Sequence, residues 1–253
     1  MDTNVSPARK SVDPLGQTSL RLAATLLLTG QLLYIVVTQF HADGQANHHP
    51  AVFAEYAGSQ PWKAVHAGQF GCAAILLAGL VALALDLDVQ AARARWTSRF
   101  GAASAVVALA LYGVLQAIDG VGNQQVDAAW VGAPASERAA RFASAESMRW
   151  LEWGARSYFD YALGIALLLV AAAAVLTVRV SRAIACLMGL SGLAYLAQGW
   201  VVGSEGFSGT HTTLILVAWG LSLVWMAWLL IVAWRHPIAE PKSTAASLAH
   251  PQP

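Results

Sequence analysis

The sequence predicts an all-α polytopic membrane protein, a six-transmembrane-helix bundle with both termini cytoplasmic. Three observations carry that prediction. The first is composition: of 253 residues 57% are hydrophobic and 11% charged, with a mean hydropathy of +0.53. Soluble domains carry about 25% charged residues, so this set could hardly cover a water-soluble surface. The second is run length. Apolar runs at about 20–39, 66–85, 101–119, 158–178, 183–203 and 212–234 match the roughly 20 residues that cross a bilayer core as a helix. The third is charge asymmetry.

Lipid offers the backbone no hydrogen-bond partners, so each run is expected to be helical. The Leu- and Ala-rich stretch 162–176 agrees with helix propensity. Ten basic residues (Arg9, Lys10, Arg21, Arg93, Arg95, Arg99, Arg179, Arg182, Arg235 and Lys242) fall on one side of the alternating spans. Five (Lys63, Arg138, Arg141, Arg149 and Arg156) fall on the other, against nine carboxylates there, a net −4. The basic side is read as cytoplasmic, which makes 40–65, 120–157 and 204–211 external loops. Residues 18–235 form one membrane domain, flanked by a disordered N-terminus at 1–17 and a disordered cytoplasmic tail at 236–253. The first run is too long for a signal h-region and no A-x-A site follows it, so it reads as a permanent anchor.

Between the spans, Asp43-Gly44 and His49-Pro50 are turn signals, and AVFAEYA after them suits a short interfacial helix. In the second long loop, Pro134 and Ser136 mark a helix start with Ser136 as its cap. Three i,i+4 pairs of opposite charge follow: Glu137–Arg141, Glu152–Arg156 and Arg156–Asp160. That helix either lies on the outer leaflet or begins the fourth span, with a bend near Gly154. The 179–182 connection makes spans four and five a tight antiparallel pair. Gly68/Cys72 and Gly101/Ala105 have the small-xxx-small spacing of close helix contacts. Cys72 lies in the outer third of the second span and Cys186 near the inner end of the fifth, too far apart across the membrane for a disulfide. Most tryptophans fall at predicted interfaces; Trp219, Trp225 and Trp228, inside the sixth span, read as packing or lipid contacts.

Polar residues gather at the external ends of the runs. Ionisable groups at membrane depth are costly and mark functional sites. His66 and Gln69 are i,i+3; Tyr112, Gln116 and Asp119 follow i,i+4,i+7; Glu152, Arg156 and Asp160 are four apart; Ser191, Tyr195 and Gln198 repeat i,i+4,i+7. With Gln31, Tyr34 and Thr38, these stripes predict an outward-facing polar cavity. Its expected lining is His66, Gln69, Gln116, Asp119, Glu152, Arg156, Asp160 and Gln198. The reading this supports first is binding or translocation of a small polar solute or ion.

A metal or haem redox protein is the enzyme alternative. Imidazole and carboxylate ligands suit Zn²⁺ or Cu²⁺, with His66, His211, His48 and His49 as candidates and His66 and His211 as a possible haem pair. A third reading is an accessory subunit whose external amphipathic segment meets a membrane partner. HExxH, CxxC, GxSxG, P-loop and GxGxxG patterns are absent. No basic patch suggests nucleic acid, and no inverted repeat stands out. The segments HHPAVFAEYAGSQPWKAVHAGQF and RWLEWGARSYFDYALG resemble uncharacterised bacterial integral membrane proteins. That resemblance implies a bacterial inner-membrane location and no activity.

Overall fold

A computed structural model describes residues 14–42, 47–90, 92–177 and 179–235. Residues 1–13, the tail 236–253 and the Asp43-Gly44 step lie outside the described residues. Among those described, the regular structure is all helical. Six helices are long and apolar enough to cross a membrane: α1 (Pro14–Thr38), α3 (Trp62–Gln90), α4 (Arg95–Ala117) with its continuation, α6 (Arg138–Val175), α7 (Arg182–Glu205) and α8 (Gly209–Arg235). The short α2 (His49–Gly58) fills the stretch read as an interfacial helix. Pro50 stands in its first turn, where no amide hydrogen is needed, and the His48 side chain caps the helix by accepting from the Ala51 amide.

Each spanning helix packs on its sequence neighbours, and α8 closes against α1. The result is an up-and-down ring of six. Glycine sets the closest approaches. A Cβ on Gly164 would lie 2.7 Å from the Gly192 carbonyl oxygen, and one on Gly192 2.9 Å from that of Gly164. Only hydrogens at both positions let α6 and α7 cross this tightly. Gly68 and Gly101 sit at contacts too, against Val37 and Val170. Both cysteines are free, Cys72 buried and Cys186 exposed.

Two expectations for the stretch after the third run are corrected. The chain does not leave the bundle as a loop at residue 120. α4 passes through a π-helical turn, Ile118–Asn123, into α5 (Gln124–Val131). Helix resumes at Arg138, and α6 continues for 38 residues without a break at Gly154, so it is the extended beginning of the fourth span. Nothing would meet a Cβ on Gly154 within 4 Å, so packing demands no special geometry there. Ser136 is not the cap: Glu137 occupies that place without a side-chain capping bond.

Among the described residues, the buried apolar side chains form two cores. Leu27, Leu80, Leu83, Met188, Trp225 and Leu229 belong to the main one. A second joins Val52, Phe53, Tyr56, Trp62 and Ala145, with Trp130 and Phe142 packed against it. It binds α2, α5 and the start of α6 into a cap over one end. At the other end, Asp86 is 3% exposed. It accepts from Arg179 Nε at 3.1 Å and from the Ser19 hydroxyl. Asp86→Ala should strand the Arg179 guanidinium and cost about 1–3 kcal/mol, read as a lower unfolding temperature in detergent. An unchanged transition would show that the pair contributes nothing.

Candidate functional site

Under the cap lies a cavity of about 440 Å³. Five of the eight side chains expected in its lining are there, Gln69, Gln116, Asp119, Glu152 and Arg156, and so is His211 from the metal candidates. Tyr34, Tyr112 and Trp219 form its deeper wall. The Tyr112 hydroxyl donates to that of Tyr34 at 3.0 Å, and Trp219 meets Tyr34 edge-on at 6.0 Å. Trp219 therefore faces the cavity, not only packing or lipid. A small pocket beyond it shares Tyr34, Arg156 and Trp219 and is otherwise largely apolar. Below, the leucines of the main core fill the ring.

The π-helical turn positions the centre of the site. Such turns cluster at functional sites because one extra residue re-aims the side chains around it. Here Asp119 is directed at α3, with its Oδ2 3.1 Å from His66 Nε2 and 3.9 Å from His41 Nε2. Gly120 makes room: a Cβ there would stand 2.7 Å from His66 Cβ. Trp62 Nε1 donates to the Asp119 carbonyl at 3.0 Å, and its ring covers His66 at a centroid distance of 4.3 Å.

Both imidazoles are oriented from behind. His66 Nδ1 is 2.7 Å from the Trp62 carbonyl oxygen, and His41 Nδ1 is 2.7 Å from that of Ala42. A carbonyl only accepts, so each Nδ1 carries the proton and donates. Each Nε2 is thereby turned toward the same carboxylate oxygen. His66 Nε2 is buried and, despite its 3.1 Å approach, has no aligned hydrogen bond among the described residues. Burial pulls the His41 pKa down, but the adjacent Asp119 carboxylate outweighs it and leaves the pKa above its ordinary value.

From Asp119 a polar chain crosses to α6. Asn123 Nδ2 donates to Asp119 Oδ1 at 3.1 Å and to Glu152 Oε2 at 2.6 Å. Arg149 Nη1 donates to the same Glu152 oxygen at 2.6 Å and to the Tyr56 hydroxyl at 3.2 Å. Burial pushes the Tyr56 phenol above its usual pKa, so it stays protonated. Glu152 thus pairs with Arg149 at i,i+3 and not with Arg156, which bonds Asp160 through Nε at 3.0 Å. The Glu137–Arg141 pair forms as expected, at 3.1 Å.

The other expected residues disperse. Asp160 lies behind Arg156 at 0% exposure, and Gln198 is turned away to the Leu214 carbonyl at 3.3 Å. His66 stands behind Asp119 and does not line the cavity that His211 lines, so the two do not face each other as a haem pair. His48 is spent on capping α2; His49 Nδ1 sits 2.9 Å from Glu146 Oε1, tying α2 to α6. His41, Tyr56, Asn123 and Arg149 were not among the expected lining. Nor was Asp127, 1% exposed with neither carboxylate oxygen partnered among the described residues. The spacing of Asp119, Asn123 and Asp127, four apart, was the available signal.

Compared with known proteins, the chain matches no family model, no curated protein and no solved structure.

Proposed function

We propose that this is a multi-pass protein of a bacterial inner membrane that binds a small polar solute in the cavity, through an anionic group of that solute. Six alternating spans put both termini on one face, and the excess of Lys and Arg there supports a cytoplasmic assignment. The cavity then opens on the external side. Its inner end is closed by packed leucines, the form of a binding site and not of an open pore.

Arg156 is the observation that carries this reading. It lines the cavity, and only its Nε is engaged, by Asp160. Among the described residues, neither Nη group has a protein acceptor. A planar guanidinium with two free donors suits a carboxylate or phosphate held in bidentate fashion. Tyr34, Tyr112 and Trp219 beside it supply flat apolar walls for the rest of the solute. A translocation cycle would need the leucine-filled half to open.

The test is thermal stabilisation of the detergent-purified protein by a panel of small carboxylates and phosphate monoesters. A true ligand at 100 times its Kd stabilises by about 2.7 kcal/mol. That stabilisation should vanish in Arg156→Gln/Asp160→Asn, which removes both charges together and leaves neither charge unpaired. Stabilisation that persists in the double variant, or a panel with no responder, would refute the anion reading.

A further inference from the structure

We infer that His41, His66 and Asp119 form a binding site for a divalent first-row transition-metal cation at the rim of the cavity. Their ligand atoms, His41 Nε2, His66 Nε2 and an Asp119 carboxylate oxygen, all lie within 4.8 Å of one another. In a tetrahedral zinc site, bonds of about 2.0–2.2 Å put neighbouring ligand atoms roughly 3.3 Å apart. The 3.1 Å and 3.9 Å separations from Asp119 Oδ2 bracket that spacing. His41 has the freedom to close the longer gap, since it follows the end of α1 and its side chain is 21% exposed.

The surroundings point the same way independently. With both Nδ1–H groups donated to backbone carbonyls, both Nε2 atoms face one carboxylate oxygen. As neutral imidazoles they offer two lone pairs beside that carboxylate, and a cation bound among the three takes the place that a proton otherwise holds. A backbone carbonyl behind each ligating imidazole is the usual orienting arrangement in metal sites. Asn123 bonds Asp119 Oδ1 and leaves Oδ2 free for the metal. His66 Nε2, in a residue only 2% exposed, makes no aligned hydrogen bond and is aimed at Asp119 Oδ2 in the cluster. Two imidazoles and one carboxylate leave coordination positions open, as in catalytic zinc and non-haem iron sites. His41 and Asp119 both line the cavity, so the open positions face it.

This site uses different atoms from the Arg156 anion site, and either reading can fail alone. The experiment is a Zn²⁺ titration of the full-length, EDTA-treated protein in detergent, in competition with a chromophoric chelator. One zinc ion per chain is expected. Affinity should fall about 100-fold or more in His66→Gln and in Asp119→Asn, and about 10-fold or more in His41→Ala. His48→Ala/His49→Ala and His236→Ala/His250→Ala should bind as the parent does, which excludes the loop and tail histidines. Should the buried variants fail to fold, Co²⁺ added to the unaltered protein decides: intense low-symmetry ligand-field bands are expected. The weak bands of a six-oxygen ion, or zinc affinity undiminished in His41→Ala, would overturn the site. Anion stabilisation lost with Arg156 while zinc still binds would mark the two sites as separate.

Discussion

Arg149→Met is expected to destabilise the protein by about 3–5 kcal/mol, the usual consequence of leaving one member of a buried pair without its countercharge. Arg149 and Glu152 are 3% and 2% exposed. Arg149 also holds the Tyr56 hydroxyl and stacks over the Phe207 ring at 4.6 Å. Its loss therefore loosens α2 and the α7–α8 turn together. The Arg149→Met/Glu152→Leu variant should recover much of the stability, because buried pairs replaced by apolar side chains of similar volume are often neutral. Thermal or denaturant unfolding of the single and double variants in one detergent measures the coupling. A single variant as stable as the parent, or a double variant no better than the single, would show that Glu152 is not held as a charge by Arg149.

Gly120→Ala is the second large effect. The new methyl group would meet His66 Cβ at 2.7 Å and its Cγ at 2.9 Å. These atoms are close to the α3 backbone and cannot swing aside as the end of a long side chain would. The π-helical turn and α3 must separate, at a cost of about 1–3 kcal/mol for overpacking. The separation acts on the contact between His66 and Asp119, so zinc affinity should fall with stability. Gly154→Ala is the control: its Cβ meets nothing within 4 Å, and alanine raises helix propensity by up to about 1 kcal/mol. Equal behaviour of the two variants would remove Gly120 from the account of the site.

The architecture was legible because lipid simplifies the code. A run of about 20 apolar residues has few alternatives to a spanning helix, and each of the six runs became one. Helical periodicity found two of the three expected ion pairs. Arg156 and Asp160 meet at i,i+4, as do Glu137 and Arg141. Tyr34 and Tyr112, read on separate stripes, face each other across the cavity.

Legibility stopped where partners come from different elements or where the helix changes period. Glu152 had basic residues within reach at 149 and 156, and spacing alone could not choose. Asn123 and Tyr56, which complete its surroundings, sit on other segments. The π-helical turn inserts one residue, which shifts the phase of everything after it by about 100°. Asp119 thus belongs to a helix that continues to α5, not to the end of a span. His41 lies just past α1, where no period applies, and its ring packs against Tyr56, Trp62 and His66 beside Asp119.

By itself, the sequence determined six apolar helices, the end of the bundle at which polar groups collect, and five of the polar side chains that face the cavity. These follow from hydropathy and from a period of 3.6, both properties of one segment. Tertiary structure alone decided that the helices close into a ring, that Arg149 and not Arg156 holds Glu152, and that His41 joins His66 at Asp119. Those outcomes depend on helix rotation, on the glycines that admit close approach, and on one inserted residue at the π-helical turn. They are relations between segments, and a hydrophobic period carries no information about them.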